Sequence, residues 1–331
     1  MQGPTRPDRV TLAAFAALVV LGGLNFVAVR TSNMELPPFA GAAARMAASA
    51  LILLALMPLL RVPLPRGSAL AGVAVYGLLG FGLSYALLYW ALVGIPAGVG
   101  SLVMAMVPLL TVLLAALHGV ERLRAQAVAG GLLAAGGVGL VFLEGMRGAI
   151  APLGLLAMLG GAVSASESGI VAKRFDRPHP VAMNGLGLAV GAILLAGASL
   201  VAREPLALPS RPATWVALTY LVLAGTVGLF SLYLFTLRRW TASATAYLFV
   251  LMPLVVVPVA ATLAGESVGA TFLGGGVLVL AGVLVGGFGV AGRLAALRAP
   301  TIEVPGIGRM RRVEPPSVAL CAEDGPFPKC A

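Results

Sequence analysis

The feature that most constrains this chain is a succession of long apolar runs, beginning with VTLAAFAALVVLGGLNFVAV at residues 10–29 and recurring from end to end. A helix needs about 20 apolar residues to cross a bilayer, and these runs meet that length. Alternating strand patterns are absent, so the spans are helices rather than barrel strands. The composition points the same way. Charged residues are 10% of the chain, hydrophobic residues 60%, and the mean hydropathy is +1.01. A soluble domain carries about 25% charged residues, so this chain cannot cover itself with a wetted surface.

Hydropathy predicts an all-α integral membrane protein with ten transmembrane helices. They lie near residues 10–29, 38–60, 70–91, 96–117, 126–143, 152–172, 180–201, 213–237, 241–263 and 270–291. The first run lacks a small-x-small cleavage site and reads as a retained helix. Connections are short until a polar, proline-rich tail (PTIEVPGIGRMRRVEPPS). With the N-terminus inside, 17 Lys and Arg fall in cytoplasmic segments and 4 outside, which places both termini in the cytoplasm. The net charge of +10 is therefore a topology and lipid-headgroup signal. Basic clusters interleaved with aromatics are missing, so no nucleic-acid partner is expected. Twenty arginines against two lysines suggest a GC-rich bacterial genome and hence a multi-pass protein of the plasma (inner) membrane.

The chain also repeats itself. AMVPLLTVLLAALHGVERL at 105–123 and VLMPLVVVPVAATLAGESV at 250–268 share a proline, an apolar stretch and a glutamate at the same places, 145 residues apart. The same shift aligns Gly80 with Gly225, Leu87 with Leu232, Ala97 with Ala242, Gly130 with Gly275 and Gly137 with Gly282. Upstream the register drifts slightly, so that VAVR at 27–30 answers IVAK at 170–173 and Pro38 answers Pro180. Each copy holds five spans, and an odd number turns the second copy upside down. Inverted repeats characterise alternating-access transporters, whose halves exchange inward and outward roles. The expected divisions are a cytoplasmic N-terminus at 1–9, a first five-helix repeat at 10–148, a second, inverted repeat at 149–292, and a flexible cytoplasmic tail at 293–331.

These motifs, namely GGLNFVAVR ending the first helix, P-P-F-x-x-A-x-x-R at 37–45 and two copies of P-x12-E before a glycine-rich helix, resemble the EamA-type exporters of the drug/metabolite transporter superfamily. The resemblance covers about residues 10–292. It implies two inverted five-helix repeats around a central cavity, exporting small metabolites such as amino acids or toxic analogues. The sixth helix, GGAVSASESGIVAKR, departs from the family pattern by carrying Glu167.

Pro108 and Pro253 lie near the middle of spans four and nine, where each removes a backbone donor and predicts a kink, for packing or as a hinge. Glu121 and Glu266 open the following helices and are expected to cap them, since a carboxylate there meets the positive end of the helix dipole. Ionisable groups within spans are the sharpest clues, because charge in lipid is costly. Arg45 lies about 10 Å below the outer surface at ~1.5 Å per residue, at the depth of Asn25, so the two are candidates for an outer gate. A snorkelling Arg45 is the plainer alternative. Glu167, Ser168 and Asn184 form the corresponding inner set, with Glu167 either a coupling site or an interfacial carboxylate paired with Arg174. Tyr85, Tyr89, Ser101, Thr226, Ser231, Thr245 and Tyr247 are candidates for a substrate wall near mid-depth. They could equally satisfy backbone carbonyls. Glycine faces on spans five and ten predict close helix approach, within the chain or in a homodimer.

Other chemistries find no support. His118 and His179 sit at separate helix ends without metal-ligand spacing. No phosphate-binding loop is written, and Cys321 and Cys330 fall in the cytosolic tail. No cofactor or metal is expected. The partners are a small-molecule substrate and the bilayer. A secondary transporter, with proton coupling as one mode, is the leading expectation. The alternatives are a nucleotide-sugar or organic-anion carrier, a scaffold without transport, and an intramembrane enzyme.

Overall fold

The computed structural model describes residues 8–119, 125–144, 152–172, 178–205, 208–239, 242–263, 265 and 269–288. Among these residues regular structure is wholly helical. Ten membrane helices follow in order: α1 Arg9–Asn33, α2 Pro38–Leu59, α3 Ser68–Gly94, α4 Ala97–Leu117, α5 Ala125–Glu144, α6 Pro152–Ala172, α7 Pro180–Val201, α8 at residues 212–239, α9 Ala242–Leu263 and α10 Ala270–Phe288. Seven are long and apolar enough to cross a membrane, and shorter apolar stretches in α5, α9 and α10 complete the ten.

Local chemistry sets the ends. Asp8 caps α1 by accepting from the Thr11 amide at 2.9 Å. Pro38, Pro180 and Pro212 open α2, α7 and α8, where a missing N–H costs nothing. The α3–α4 junction falls at Ile95, held extended before Pro96.

The duplication is written into the backbone. Arg61 and Arg203, 142 residues apart like Pro38 and Pro180, both adopt positive φ (53° and 54°) just beyond α2 and α7. In each case the next amide bonds back five residues, Val62 to the Met57 carbonyl and Glu204 to the Ser199 carbonyl, which gives both helices the same left-handed C-terminal motif. More telling, α3 and α8 each contain one π-helical segment, Leu78–Leu83 and Leu223–Gly228. These coincide residue for residue under the 145-residue shift. π-bulges insert a residue into the helical ladder and concentrate at functional sites.

Helix packing repeats in the same way. Helices α2 and α7 lie together, as do α5 and α10, and each of these pairs is its own image when helix n exchanges with helix n+5. Helix α1 packs on α8 and α9, and its counterpart α6 packs on α3 and α4. The α5–α10 contact is made by glycines: a Cβ added at Gly130 would overlap the Gly282 carbonyl and the Gly286 backbone, and one at Gly137 would crowd Gly275 and Val279. The glycine faces of spans five and ten are thus used inside the chain, where backbone proximity and dispersion hold helices that lipid cannot drive together.

The repeated prolines behave differently. α4 is interrupted, its Ala97–Met104 segment giving way to Val107–Leu117 with Pro108 in the opening turn of the second piece. α9 continues from Ala242 to Leu263 through Pro253 and Pro258. Glu121 and Glu266 lie outside the described residues.

Candidate functional site

Arg45 is the one buried charged residue among the described residues, 1% exposed. It does not snorkel. Its guanidinium turns inward to a junction of α1, α2, α3 and α8. Nε donates to Thr226 Oγ1 at 2.9 Å and Nη2 to the Gly225 carbonyl at 3.1 Å. Nη1 reaches Tyr89 Oη at 3.3 Å, and Nη2 also approaches Asn25 Oδ1 at 3.5 Å. The charge lies over the Tyr85 ring, 5.3 Å from its centroid. Five predicted site residues, Asn25, Arg45, Tyr85, Tyr89 and Thr226, therefore meet in one place.

The π-helical segments explain how. A residue added to the ladder releases carbonyls from their usual partners, and polar side chains take them up. In α8, the Gly225 carbonyl accepts from Asn25 Nδ2 at 3.0 Å as well as from Arg45, while Thr226 Oγ1 donates to the Leu221 carbonyl at 2.7 Å. In α3, the Leu79 carbonyl accepts from Ser164 of α6 at 2.9 Å. The glycines of the two segments admit equivalent neighbours: a Cβ at Gly225 would overlap Asn25 Oδ1, and one at Gly80 would come within 2.9 Å of Ser168 Oγ. Asn25 and Ser168 are themselves counterparts in the repeat. The match stops at Arg45, which corresponds to Gly187. There α7 presses the Gly187 backbone against Gly77, and a Cβ on Gly187 would meet the Tyr76 and Phe81 rings. One seam, α2 against α8, holds a buried charge, and its counterpart, α7 against α3, is close-packed and uncharged, with one hydrogen bond from Tyr76 to Asn184.

The predicted inner set does not converge in the same way. Ser168 Oγ donates to the Ala165 carbonyl of its own helix, and Asn184 Oδ1 accepts from the Tyr76 hydroxyl at 3.3 Å. Glu167 Oε1 lies 3.6 Å from His118 Nε2 at the end of α4. Its expected partner, Arg174, is outside the described residues. Among the wall candidates, buried Ser101 donates to the Gly98 carbonyl at 2.8 Å. Ser231 is exposed on α8 and bonds the Val227 carbonyl. The side chains of Thr245 and Tyr247 are outside the described residues.

Sequence reasoning missed two glutamates at the end where α2 and α8 begin. Glu204, after α7, accepts from the Phe39 and Ala40 amides at 3.2 and 2.8 Å and so caps α2. Glu35, before α2, accepts from the Ser210 amide at 2.7 Å, from the Ser210 hydroxyl and from the Arg211 amide at 3.1 Å, and so caps α8. Each half supplies the carboxylate that satisfies the other half's open helix terminus. The hydrogen bonds from Ser210 and Thr214 hold the Glu35 carboxyl down at about 2, from an ordinary 4.5. Tyr76, which ties α3 to Asn184, was missed too. The signals were the glycines of LLGFGL and LAGTVG, which already aligned in the repeat.

Comparison with known proteins fits this architecture. The EamA-like transporter family matches twice, over residues 9–143 and 152–287. A protein of Salmonella typhimurium described as a probable amino-acid metabolite efflux pump is 30% identical, over 84% of this chain and 95% of its own length. The inner membrane transporter YedA of Escherichia coli is 29% identical, over 82% of this chain and 89% of its own. A crystal structure with 23% identity shares the fold at a TM-score of 0.60, covering 87% of this chain and 99% of the other. Two family segments thus lie over two halves that repeat each other in helix packing, helix ends and π-helical segments, and the chain belongs to the EamA-like transporter family.

Proposed function

We propose that this protein is a secondary carrier that exports small metabolites, amino acids or close analogues, across a bacterial inner membrane by alternating access, with both termini cytoplasmic. The observation that carries this reading is the pair of π-helical segments in α3 and α8, each at the contact between halves. π-helical segments in α-helices are frequent at functional sites, and two of them in inverted repeats are suited to act in turn. The α2–α8 seam is closed by Arg45 and by the Glu35 cap, and α3–α7 is the seam that serves the opposite face. The name of the Salmonella relative favours amino acids. Exchange of roles between residues 10–148 and 149–292 then carries substrate across.

Proton coupling, in this reading, belongs to Glu167 with His118 at 3.6 Å, the pair that joins α4 to α6. The test is counterflow of labelled amino acids into liposomes containing the purified protein. Saturable exchange with a pH dependence that Glu167→Gln removes supports the proposal. Folded protein that exchanges no amino acid overturns the substrate reading, and wild-type pH dependence in Glu167→Gln overturns the coupling site.

A further inference from the structure

We infer that Arg45 is the residue that reads the carboxylate of the substrate, and that it exchanges the neutral partners of the closed α2–α8 seam for that carboxylate when the seam opens. The inference rests on the carrier reading above and adds to it the charge of the substrate and the group that recognises it.

The first argument is charge. The partners of the Arg45 guanidinium are a hydroxyl (Thr226), a phenol (Tyr89), an amide oxygen (Asn25), a carbonyl (Gly225) and a ring face (Tyr85). Each is a dipole. None carries the negative charge that would cancel the cation, and among the described residues no carboxylate pairs with it. Dipoles lower the cost of a buried charge but leave it uncompensated. A neutral glutamine could bridge α2 to α8 at lower desolvation cost. A guanidinium kept here is explained by an anion that arrives during the cycle.

The second argument is geometry. Nε and Nη2 form one edge of the planar guanidinium, the edge that grips both oxygens of a carboxylate in a two-point bond. In this structure that edge is filled by Thr226 Oγ1 at 2.9 Å and the Gly225 carbonyl at 3.1 Å, both from the π-helical segment of α8. Two oxygens of α8 thus stand where the two oxygens of a carboxylate would bind. Withdrawal of α8 from α2 frees the edge, while Tyr89 and Tyr85, both from α3, stay beside the charge.

The third argument sets the class. A single guanidinium matches a single negative charge, so a small monocarboxylate fits and a nucleotide diphosphate does not. An aromatic row on α3 continues from the site, with ring centroids 6.4 Å apart for Tyr89–Tyr85, 6.2 Å for Tyr85–Phe81 and 5.4 Å for Phe81–Tyr76, and Phe230 of α8 stands 5.3 Å from Phe81. This row offers an apolar surface to the rest of such a molecule.

The experiment is counterflow by the full-length protein in liposomes with the proteinogenic L-amino acids, each paired with its α-carboxamide. A site built to bond a substrate group discriminates strongly against the analogue that lacks it. The expected result is that an amino acid which exchanges does so at least about tenfold better than its amide. Arg45→Gln should erase that preference. Arg45→Lys, which keeps the charge without the two-point edge, should retain part of it. Equal exchange of acid and amide by the wild type overturns the inference and leaves the carrier reading intact, and this comparison needs no variant to fold. An undiminished preference in Arg45→Gln overturns it as well. Folded wild-type protein that exchanges neither acids nor amides removes the amino-acid reading on which the inference stands.

Discussion

Asn25 Nδ2 donates to the Gly225 carbonyl across 3.0 Å, joining the first helix of one repeat to the π-helical segment of the other. Ser168 stands in the corresponding place against Gly80 on the opposite seam. The glycines are required there by the space their partners occupy. Gly225→Ala should therefore damage stability and exchange together, and Asn25→Ala in the same chain should restore part of both by removing the atom that the new methyl meets. The matching pair is Gly80→Ala with Ser168→Ala. Thermal denaturation in detergent reads the effect. Coupling within each pair and additivity between pairs is the expected pattern, because contacting residues couple and distant ones do not.

Thr226 is fully buried and bonds both Arg45 Nε and the Leu221 carbonyl. Thr226→Val keeps the volume and strands a donor of a buried cation, which costs about 2 kcal/mol, the usual scale for a hydrogen bond to a charged group. Thr226→Ser keeps the hydroxyl and should lie near the wild type. Melting temperatures of the two variants decide between a bond and mere packing.

Glu35 gives a pH signature. Its carboxyl is held at about 2 against an ordinary 4.5, chiefly by the Ser210 hydrogen bond. The unfolded chain therefore takes up a proton first as pH falls. The contribution of this group is complete above about 4.5 and is lost as pH drops through about 2. Glu35→Gln should show lower stability at neutral pH and a shallower decline over that acid window. The comparison is a melting series of both proteins across it.

The ten spans were legible because hydropathy accumulates over about 20 residues, enough to outvote any single residue. The duplication was legible because Pro108, Pro253, Gly80 and Gly225 recur at one spacing. Arg45 stood out because charge is rare in a span. Asn25 was paired with it by depth, but the Arg45 contact with Thr226, 181 residues away in sequence, was not legible, because helices apolar on every side carry no stripe to say which face looks inward. That is also why Ser231, exposed in the structure, was grouped with buried Thr226. The π-helical segments escaped because one extra residue in a ladder leaves no compositional mark beyond glycine. Glu35 and Glu204 escaped because loop carboxylates usually belong to a solvated surface, and only the fold brings each to the other half's helix end.

The account depends on the α2–α8 seam opening in every cycle. The most direct measurement places cysteines at Glu35 and Ser210, which touch where α2 and α8 begin, in a chain where Cys321→Ser and Cys330→Ser remove the native thiols. A short, reducible thiol cross-linker then bridges the pair in liposomes. The account predicts that bridging stops amino-acid counterflow and that reduction restores it. Bridged protein that exchanges at the unbridged rate would contradict it.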